Sequence, residues 1–152
     1  MYSLRQVTHD DYTFLYQLHV AAMREYVEAT WGWEEEWQQE YFARKFNPDT
    51  RQIIQVEEQD AGVIAIEQRI DEFYVALIEI LPIFQGRGVG TDIVRQIINT
   101  AHADGLPVTL HVLKTNIPAR RLYECLGFAI AQDESIRYKM ICPVLKQKEE
   151  DQ

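Results

Sequence analysis

A glycine-rich loop near the middle of the sequence reads Gln85-Gly86-Arg87-Gly88-Val89-Gly90. It follows an apolar segment, residues 73–80, whose composition is typical of a strand. After the loop, apolar residues recur over residues 89–101 with the spacing of one helix face. Glycines between a strand and a helix let the backbone approach a ligand, and free amides at the helix start bind phosphate. The sequence therefore predicts an anion-binding turn at this position.

Two common phosphate-binding motifs do not fit this loop. A dinucleotide fingerprint that begins at Gly86 and Gly88 requires glycine or alanine at position 91, where this chain has Thr91. A P-loop requires Gly-Lys followed by serine or threonine, which the loop lacks. The pattern thus indicates a diphosphate site outside both of these classes.

The loop resembles the acetyl-CoA loop of the GCN5-related N-acetyltransferase (GNAT) superfamily, which reads Gln/Arg-x-x-Gly-x-Gly/Ala. A second pattern of that superfamily is Asn-x-x-Ala-x-x-x-Tyr-x-x-x-Gly-Phe. The chain matches it with Asn116, Ala119, Tyr123, Gly127 and Phe128. The two motifs stand in the family's order, and the resemblance is strong from about residue 73 to residue 128.

The resemblance implies that acetyl-CoA, the acyl donor, lies between the strand that ends at Ile80 and the strand that ends near Leu113. Backbone groups of Ile80 and Leu81 would pair with the pantetheine arm, and Asn116 would hydrogen-bond its amide. The other cofactor-binding residues implied by the motifs are Gln85, Gly86, Arg87, Gly88, Val89, Gly90, Thr91 and Ala119.

The resemblance also implies that an amine attacks the thioester directly in a ternary complex. Tyr123 is the expected general acid for the departing thiolate. A backbone N–H of a strand bulge near Ile80 is expected to stabilise the oxyanion. Neither cysteine is expected to carry the acyl group.

The general base has no fixed position in the superfamily. Glu79, on the strand beside the implied acetyl-CoA site, is our first candidate, and a surface role for it is the alternative. The second candidates are Glu34, Glu35 and Glu36. The ordinary pKa is ~4.3 for a glutamate and ~10.4 for an ammonium group, so a glutamate that takes a proton from the ammonium faces a gap of roughly 6 pKa units. We therefore expect a water relay or shifted pKa values.

The acceptor is expected to bind near Trp31 and Trp33, together with Glu34. The resemblance places the acceptor pocket between the first two helices, where these residues fall. An aromatic wall holds an apolar or cationic group by its area and by cation–π attraction. Packing of the two helices against each other is the alternative role for the tryptophans.

The remaining segments predict a single domain over residues 1–145, with the element order β α α β β β α β α β β. This is an α/β (α+β) fold with a mixed, mainly antiparallel sheet flanked by helices. Strands are expected at 3–7, 52–56, 62–69, 73–80, 108–113, 128–131 and 136–142. The segment 30–33 is expected to interrupt two helices, and residues 58–60 to form a turn. Residues 146–152 are highly charged, and we expect a disordered tail.

The amino-acid composition narrows the classes of binding partner that can be expected. The chain of 152 residues carries 24 acidic and 15 basic residues, a formal charge of −9, so no nucleic acid or membrane partner is expected. Two cysteines and no apolar secretory segment favour the cytoplasm. His102 and His111 have no partner ligands at metal spacing, so no metal is expected.

Two functions follow from the motifs. The first is an acetyl-CoA-dependent N-acetyltransferase that acts on a primary amine of a small molecule or a peptide. The alternative is a catalytically idle domain of the same fold that binds or senses acyl-CoA. A homodimer is left open.

Overall fold

The computed structural model describes residues 1–145, and the predicted tail at 146–152 lies outside the described residues. The described residues form seven strands and four helices, in the predicted order. The strands are β1 (Tyr2–Gln6), β2 (Gln52–Val56), β3 (Gln59–Gln68), β4 (Phe73–Ile80), β5 (Val108–Leu113), β6 (Ala129–Asp133) and β7 (Arg137–Cys142). The helices are α1 (Tyr12–Trp31), α2 (Glu35–Lys45), α3 (Val89–Ala103) and α4 (Ile117–Cys125).

The strands form one sheet in the order β1-β2-β3-β4-β5-β7-β6. Every neighbouring pair is antiparallel except β4 and β5, which are parallel. The structure thus confirms the predicted mixed, mainly antiparallel sheet flanked by helices. None of the helices formed by residues 1–145 combines the length and apolar character needed to cross a bilayer.

The helices cover both faces of the sheet. Adjacent strand residues point to opposite faces, so each face carries apolar side chains on which helices pack. Ile53 and Val63 pack in the apolar cluster under α1, whereas Ile54 and Ile64 pack in the cluster that contains the inward face of α3. On that inward face the apolar residues Val89, Ile93, Val94, Ile97 and Ala101 are buried, as their helical spacing predicts.

The sheet opens between its two parallel strands. β4 and β5 pair only over Phe73–Val75 and Val108–Leu110. Just beyond, the register of β4 against β3 shifts so that Ala76 is an extra residue between Val75 and Leu77. A bulge bends its strand and increases the local twist, so β4 turns away from β5. The bulge therefore lies at Ala76, and the expectation that placed it near Ile80 is wrong.

Two other boundaries differ from the prediction. Helix α1 continues through Trp31 and ends at Gly32, whose φ of 83° suits glycine, so residues 30 and 31 do not interrupt the helix. Strand β3 begins at Gln59, and the hairpin turn before it consists of Glu57 and Glu58, with φ of 52° and 66°. Left-handed φ at two consecutive positions usually calls for asparagine or glycine, and no such residue signals the turn in the sequence.

Candidate active site

A slot of about 290 Å³ lies where β4 and β5 separate, bounded by α1, α4 and the start of α3. Most of the residues predicted to bind the acyl donor or to act on it line this slot. They are Glu79, Ile80, Gln85, Gly86, Gly88, Val89, Gly90, Thr91, Asn116, Ala119 and Tyr123. The structure therefore brings together residues from β4, the glycine loop and α4 that are up to 44 positions apart (123 − 79).

Two predicted residues do not line the slot. The N–H of Leu81 donates to Ala61 O at 2.8 Å and so belongs to the sheet. The guanidinium of Arg87 lies 5.3 Å from the centre of the Phe84 ring, and Arg87 does not line the slot. The N–H of Leu81 is therefore not free for the pairing expected of it.

The backbone of β4 faces the slot at alternate residues. In an antiparallel pair, hydrogen bonds to the neighbour are made by every second residue. Because Leu81 bonds to β3, the backbone groups of Ile78 and Ile80 point the other way, into the slot. Ile78 was missed by the motif comparison, although its position two residues before Ile80 is the available signal.

The glycine loop is held against the end of β4 by its own glutamine. Gln85 Nε2 donates to Ile80 O at 2.9 Å. Gly86 and Gly88 both have left-handed φ, at 75° and 83°, and the loop leads directly into the first turn of α3. The first N–H groups of a helix lack helical partners and carry a partial positive charge, so this end of the slot suits an anion.

Asn116 begins α4 and also faces the slot. Its side-chain oxygen accepts a hydrogen bond from Ala119 N at 3.3 Å, which makes it the N-cap of the helix. The side-chain NH₂ is left to donate to a ligand. The structure therefore supplies a capping role for Asn116 without removing the binding role implied by the resemblance.

Helix α1 closes the slot from the opposite face of the sheet. Thr115 Oγ1 donates to Tyr26 O at 3.0 Å, and Thr30 Oγ1 lies 3.0 Å from Thr115 Oγ1. These contacts fasten α1 to the loop between β5 and α4, and Ala22 and Met23 consequently line the slot as well.

Tyr123 is a buried acid in the slot. Its residue is 7% exposed, and its ring centre lies 5.6 Å from that of Phe128. Burial raises the pKa of Tyr123 to about 12. The phenol consequently stays protonated at neutral pH and can donate a hydrogen bond to a developing anion.

A second cavity, of about 380 Å³, lies on the α1 and α2 side of β4. Its lining consists of Leu15, His19, Gln38, Tyr41, Phe42, Lys45, Arg51, Val63, Leu77 and Glu79. Glu79 lines both this cavity and the slot, so the two are adjacent at this residue.

Glu79 is 7% exposed and is paired with a histidine from α1. Its Oε2 lies 2.7 Å from His19 Nδ1. A carboxylate can only accept, so the imidazole donates from Nδ1 and leaves Nε2 as an acceptor. The His19 ring lies between the rings of Trp33 and Phe42, whose centres are 6.1 and 5.9 Å away. The backbone of Glu79 packs closely against Gly62 of β3, where a Cβ would clash with Glu79 O.

The sequence reasoning overlooked His19. The residue lies four positions after Leu15 and three before Ala22, on the buried face of α1. A histidine on an otherwise apolar helix face was the available signal. Its partner on β4 could not be known without the register between the helix and the sheet.

The second candidates for the base are less suited to that role. Glu34 and Glu36 are exposed and line neither cavity. Glu35 accepts hydrogen bonds from Trp33 Nε1 at 2.7 Å, Tyr16 Oη at 2.7 Å and Gln39 Nε2 at 3.0 Å. These hydrogen bonds, with that from Trp33 first, lower the pKa of Glu35 to about 2, which makes it a weak base.

The tryptophans divide between two environments. Trp31 is 61% exposed and Trp37 is 51% exposed, so neither belongs to the core between the helices. Trp33 is half-buried against His19, with the Arg24 guanidinium 5.2 Å from its ring centre. Neither Trp31, Trp33 nor Glu34 lines the second cavity, whose aromatic wall comes instead from Tyr41 and Phe42 of α2.

The part of the chain that the structure describes contains no group of three or more His, Cys, Asp or Glu side chains placed to hold a metal ion. His111 is engaged elsewhere: its Nδ1 lies 2.7 Å from Tyr74 Oη and its Nε2 lies 3.0 Å from Glu134 Oε2.

A sheet that opens between two parallel strands, beside a glycine loop that leads into a helix, is the arrangement of the acetyltransferase class of α/β fold. The chain belongs to the acetyltransferase (GNAT) family, whose model matches residues 12–128. A comparison with curated proteins gave no significant match.

Solved structures of similar fold include several acetyltransferases. The PaiA N-acetyltransferase of Thermoplasma acidophilum, in complex with coenzyme A, has a TM-score of 0.76 at 11% identity, covering 94% of this chain and 99% of that one. The ribosomal-protein-S18-alanine N-acetyltransferase of Escherichia coli has a TM-score of 0.67 at 18% identity, covering 99% and 98%. An Arabidopsis thaliana protein bound to the bisubstrate analogue CoA-Ac-MVNAL has a TM-score of 0.61 at 16% identity, covering 92% and 96%. At these identities the likeness shows the fold alone.

Proposed function

We propose that this protein transfers the acetyl group of acetyl-CoA to the primary amine of a small molecule or peptide by direct attack in a ternary complex. The observation that carries the proposal is the position of Glu79, which forms part of both the slot and the second cavity. A donor in the slot and an acceptor in the cavity would meet at this side chain.

The described residues fit the donor along the length of the slot. The outward backbone groups of Ile78 and Ile80 suit the amides of a pantetheine arm, and the Asn116 NH₂ lies on the opposite wall. The amides of the glycine loop and of the first turn of α3 suit a diphosphate. Binding through backbone amides also explains how a chain with a charge of −9 would hold a polyanion.

The Glu79–His19 pair is our assignment for the general base. An imidazole, with an ordinary pKa of ~6.5, narrows the gap to an ammonium at ~10.4 to about 4 units, against roughly 6 for a lone carboxylate. The neighbouring carboxylate accepts from Nδ1 and so holds the neutral imidazole in one tautomer. His19 Nε2 would take the proton while Glu79 positions the ring.

Tyr123 is our assignment for the group that meets the departing thiolate. With a pKa raised to about 12, full proton transfer to a thiolate near ~8.5 would be uphill by about 3 to 4 units, or ~5 kcal/mol. A hydrogen bond from the phenol to the sulfur stabilises the developing charge without that cost.

The direct test is release of free thiol from acetyl-CoA, measured with the purified protein and a panel of amines. We expect amine-dependent release that falls by about 10² in Glu79→Gln and in His19→Gln. Glu67→Gln, a substitution on the same sheet away from both cavities, is the control.

Titration with acetyl-CoA separates the enzyme from the alternative, a domain that binds or senses acyl-CoA. Tight binding of acetyl-CoA with no thiol release for any amine would support that alternative and contradict the transferase. Equal rates for the wild type and Glu79→Gln would remove the pair from the mechanism.

A further inference from the structure

The second cavity has opposite charges on its walls. Glu79 and His19 stand at the side shared with the slot, whereas Arg51 and Lys45 supply two cationic side chains to the same cavity. The cavity is therefore not uniformly acidic, although the chain carries a net charge of −9. It also lacks the acidic lining that binding of a polycation would need.

Arg51 is held by hydrogen bonds but forms no ion pair with an acidic side chain of residues 1–145. Its backbone is held by hydrogen bonds, with Val7 N donating to Arg51 O at 3.3 Å and Gln6 Nε2 donating to the same oxygen at 3.1 Å. Its Nη2 donates to Lys45 O at 3.3 Å, and the guanidinium makes no ion pair within residues 1–145. Burial lowers the pKa of Arg51, and the Glu79 carboxylate acts in the opposite direction. A half-buried guanidinium without a counter-ion gains from an incoming anion.

Lys45 and Gln38 extend this cationic side of the cavity. Lys45 is exposed, its Nζ lies 5.9 Å from the centre of the Tyr41 ring, and it makes no ion pair within the described residues. The Gln38 side chain is 7% exposed, lines the cavity and makes no hydrogen bond to another group within residues 1–145. Its side-chain amide can both donate to and accept from a bound group.

We infer that the acceptor is a small amino-carboxylate, whose amine lies at the Glu79–His19 pair and whose carboxylate is bound by Arg51, with Lys45 and Gln38 beside it. This inference rests on the proposed function and names its substrate class. An arginine offers two parallel N–H donors to a carboxylate, which fixes the orientation of the acceptor as well as its affinity. A volume of about 380 Å³ suits a small molecule held whole.

Matched acceptors test the inference. The rates of 3-aminopropanoate and 4-aminobutanoate are compared with those of the corresponding amides and of 1,4-diaminobutane, each corrected to its free-amine fraction. We expect kcat/KM for each carboxylate to exceed that of its amide by about tenfold or more, because a charge-assisted bidentate contact is lost in the amide.

Substituted variants test which residues cause the preference for the carboxylate over the amide. Arg51→Gln should bring the acid-to-amide ratio close to one, chiefly through a higher KM for the acid. Lys45→Gln, at an exposed position where folding is not at risk, should reduce the same ratio to a smaller extent. Arg44→Gln, which neutralises the neighbouring cation outside the cavity lining, should leave the ratio unchanged.

Three results would overturn the inference: an acid-to-amide ratio near one in the wild type, a diamine as the fastest acceptor, or a ratio that survives in both Arg51→Gln and Lys45→Gln. If no amine releases thiol, the proposed function fails, and calorimetry with the CoA-bound protein decides the inference separately. Binding of amino-carboxylates that is lost in Arg51→Gln would support the pocket, and absence of such binding in the wild type would overturn it.

Discussion

Burial gives the polar side chains of the site their separate roles. Tyr123 is enclosed by apolar neighbours, which raise the pKa of its phenol, whereas Glu35 is exposed and accepts three hydrogen bonds, which lower the pKa of its carboxyl. The first is held in its acidic form and the second is a poor base. Glu79 differs from both because it is buried beside a single histidine.

Replacing Tyr123 with phenylalanine tests the role of the phenol. We expect Tyr123→Phe to lower kcat on the order of 10², with the affinity for acetyl-CoA nearly unchanged, because only the hydrogen bond to the leaving group is lost. Since the pKa of Tyr123 is raised to about 12, the wild type should show no loss of kcat from its ionisation up to about pH 10. Tyr2→Phe, at a partly buried tyrosine on the same core, is the control. An unchanged kcat would remove Tyr123 from the mechanism.

At the scale of elements, the glycine loop and the start of α3 form the proposed diphosphate site. Gly88 is the N-cap of α3 and has a left-handed φ of 83°, while the space around its missing side chain is open. A substitution there acts through the backbone conformation and by covering the neighbouring amides. Left-handed conformation costs other residues roughly 1–2 kcal/mol.

Gly88→Val should therefore weaken acetyl-CoA binding by about tenfold or more, measured by equilibrium titration. Gly105 offers a matched control at the far end of α3, because it also has a positive φ, of 73°, and open space. Gly105→Val should lose comparable stability while keeping its affinity for acetyl-CoA. Equal affinities in the two variants would contradict the assignment of the loop.

The β2–β3 hairpin carries strain that can be removed. Glu57 and Glu58 adopt left-handed φ without the residues that favour it. Replacing them by asparagine and glycine, Glu57→Asn with Glu58→Gly, should raise the free energy of unfolding by about 1–2 kcal/mol, measured by chemical denaturation. Thiol release should not change, since the turn lies outside both cavities. A variant no more stable than the wild type would show that the turn is not strained.

The elements differ in how far local sequence determines them. The order of strands and helices follows from hydrophobic spacing, and the loop and α4 are marked by residues with specific backbone roles, such as Gly88 and Asn116. The turn at Glu57–Glu58 carries no such mark, because its conformation is imposed by the pairing of β2 with β3. The bulge at Ala76 likewise depends on register between strands, which local patterns do not encode.

Only part of the site was predictable from the sequence, because local patterns do not encode contacts between distant elements. Motif residues in the loop and in α4 line the slot, since each has a local structural signature. The acceptor was expected at Trp31, Trp33 and Glu34, and none of these lines the second cavity, whose lining includes Arg51, Gln38 and His19. Those residues come from α1, from α2 and from the position just before β2, and only the packing of α1 and α2 on the sheet brings them together.

At the scale of the whole molecule, one ion cluster joins distant parts of the fold. Arg5 of β1 donates to Asp11 Oδ1 at 2.8 Å and to Asp60 Oδ2 of β3 at 2.9 Å. The hydrogen bonds from Arg5 hold the pKa of both carboxyls below their usual range. Asp11 also accepts from Thr8 N at 2.8 Å and so caps the turn that leads into α1.

Asp11→Asn should lower the free energy of unfolding at pH 7 by about 1–3 kcal/mol, because a nearly buried charged hydrogen-bond partner is lost. A lowered pKa in the folded state gives stability that is complete above the ordinary value of ~3.9 and is lost as pH falls through the lowered value. The difference between wild type and variant should thus shrink below about pH 4. Asp49→Asn, at an exposed turn, is the control, and a difference independent of pH would contradict the account.

Direct transfer across Glu79 is the central claim, and rapid quenching with mass spectrometry of both protein and amine tests it most directly. Cys142 is buried and Cys125 is exposed, and neither lines the slot. The predicted result is an acetylated amine that appears as acetyl-CoA is consumed, with the mass of the protein unchanged at every time point. An acetylated protein that forms before the product, or consumption of acetyl-CoA without acetylated amine, would contradict the account.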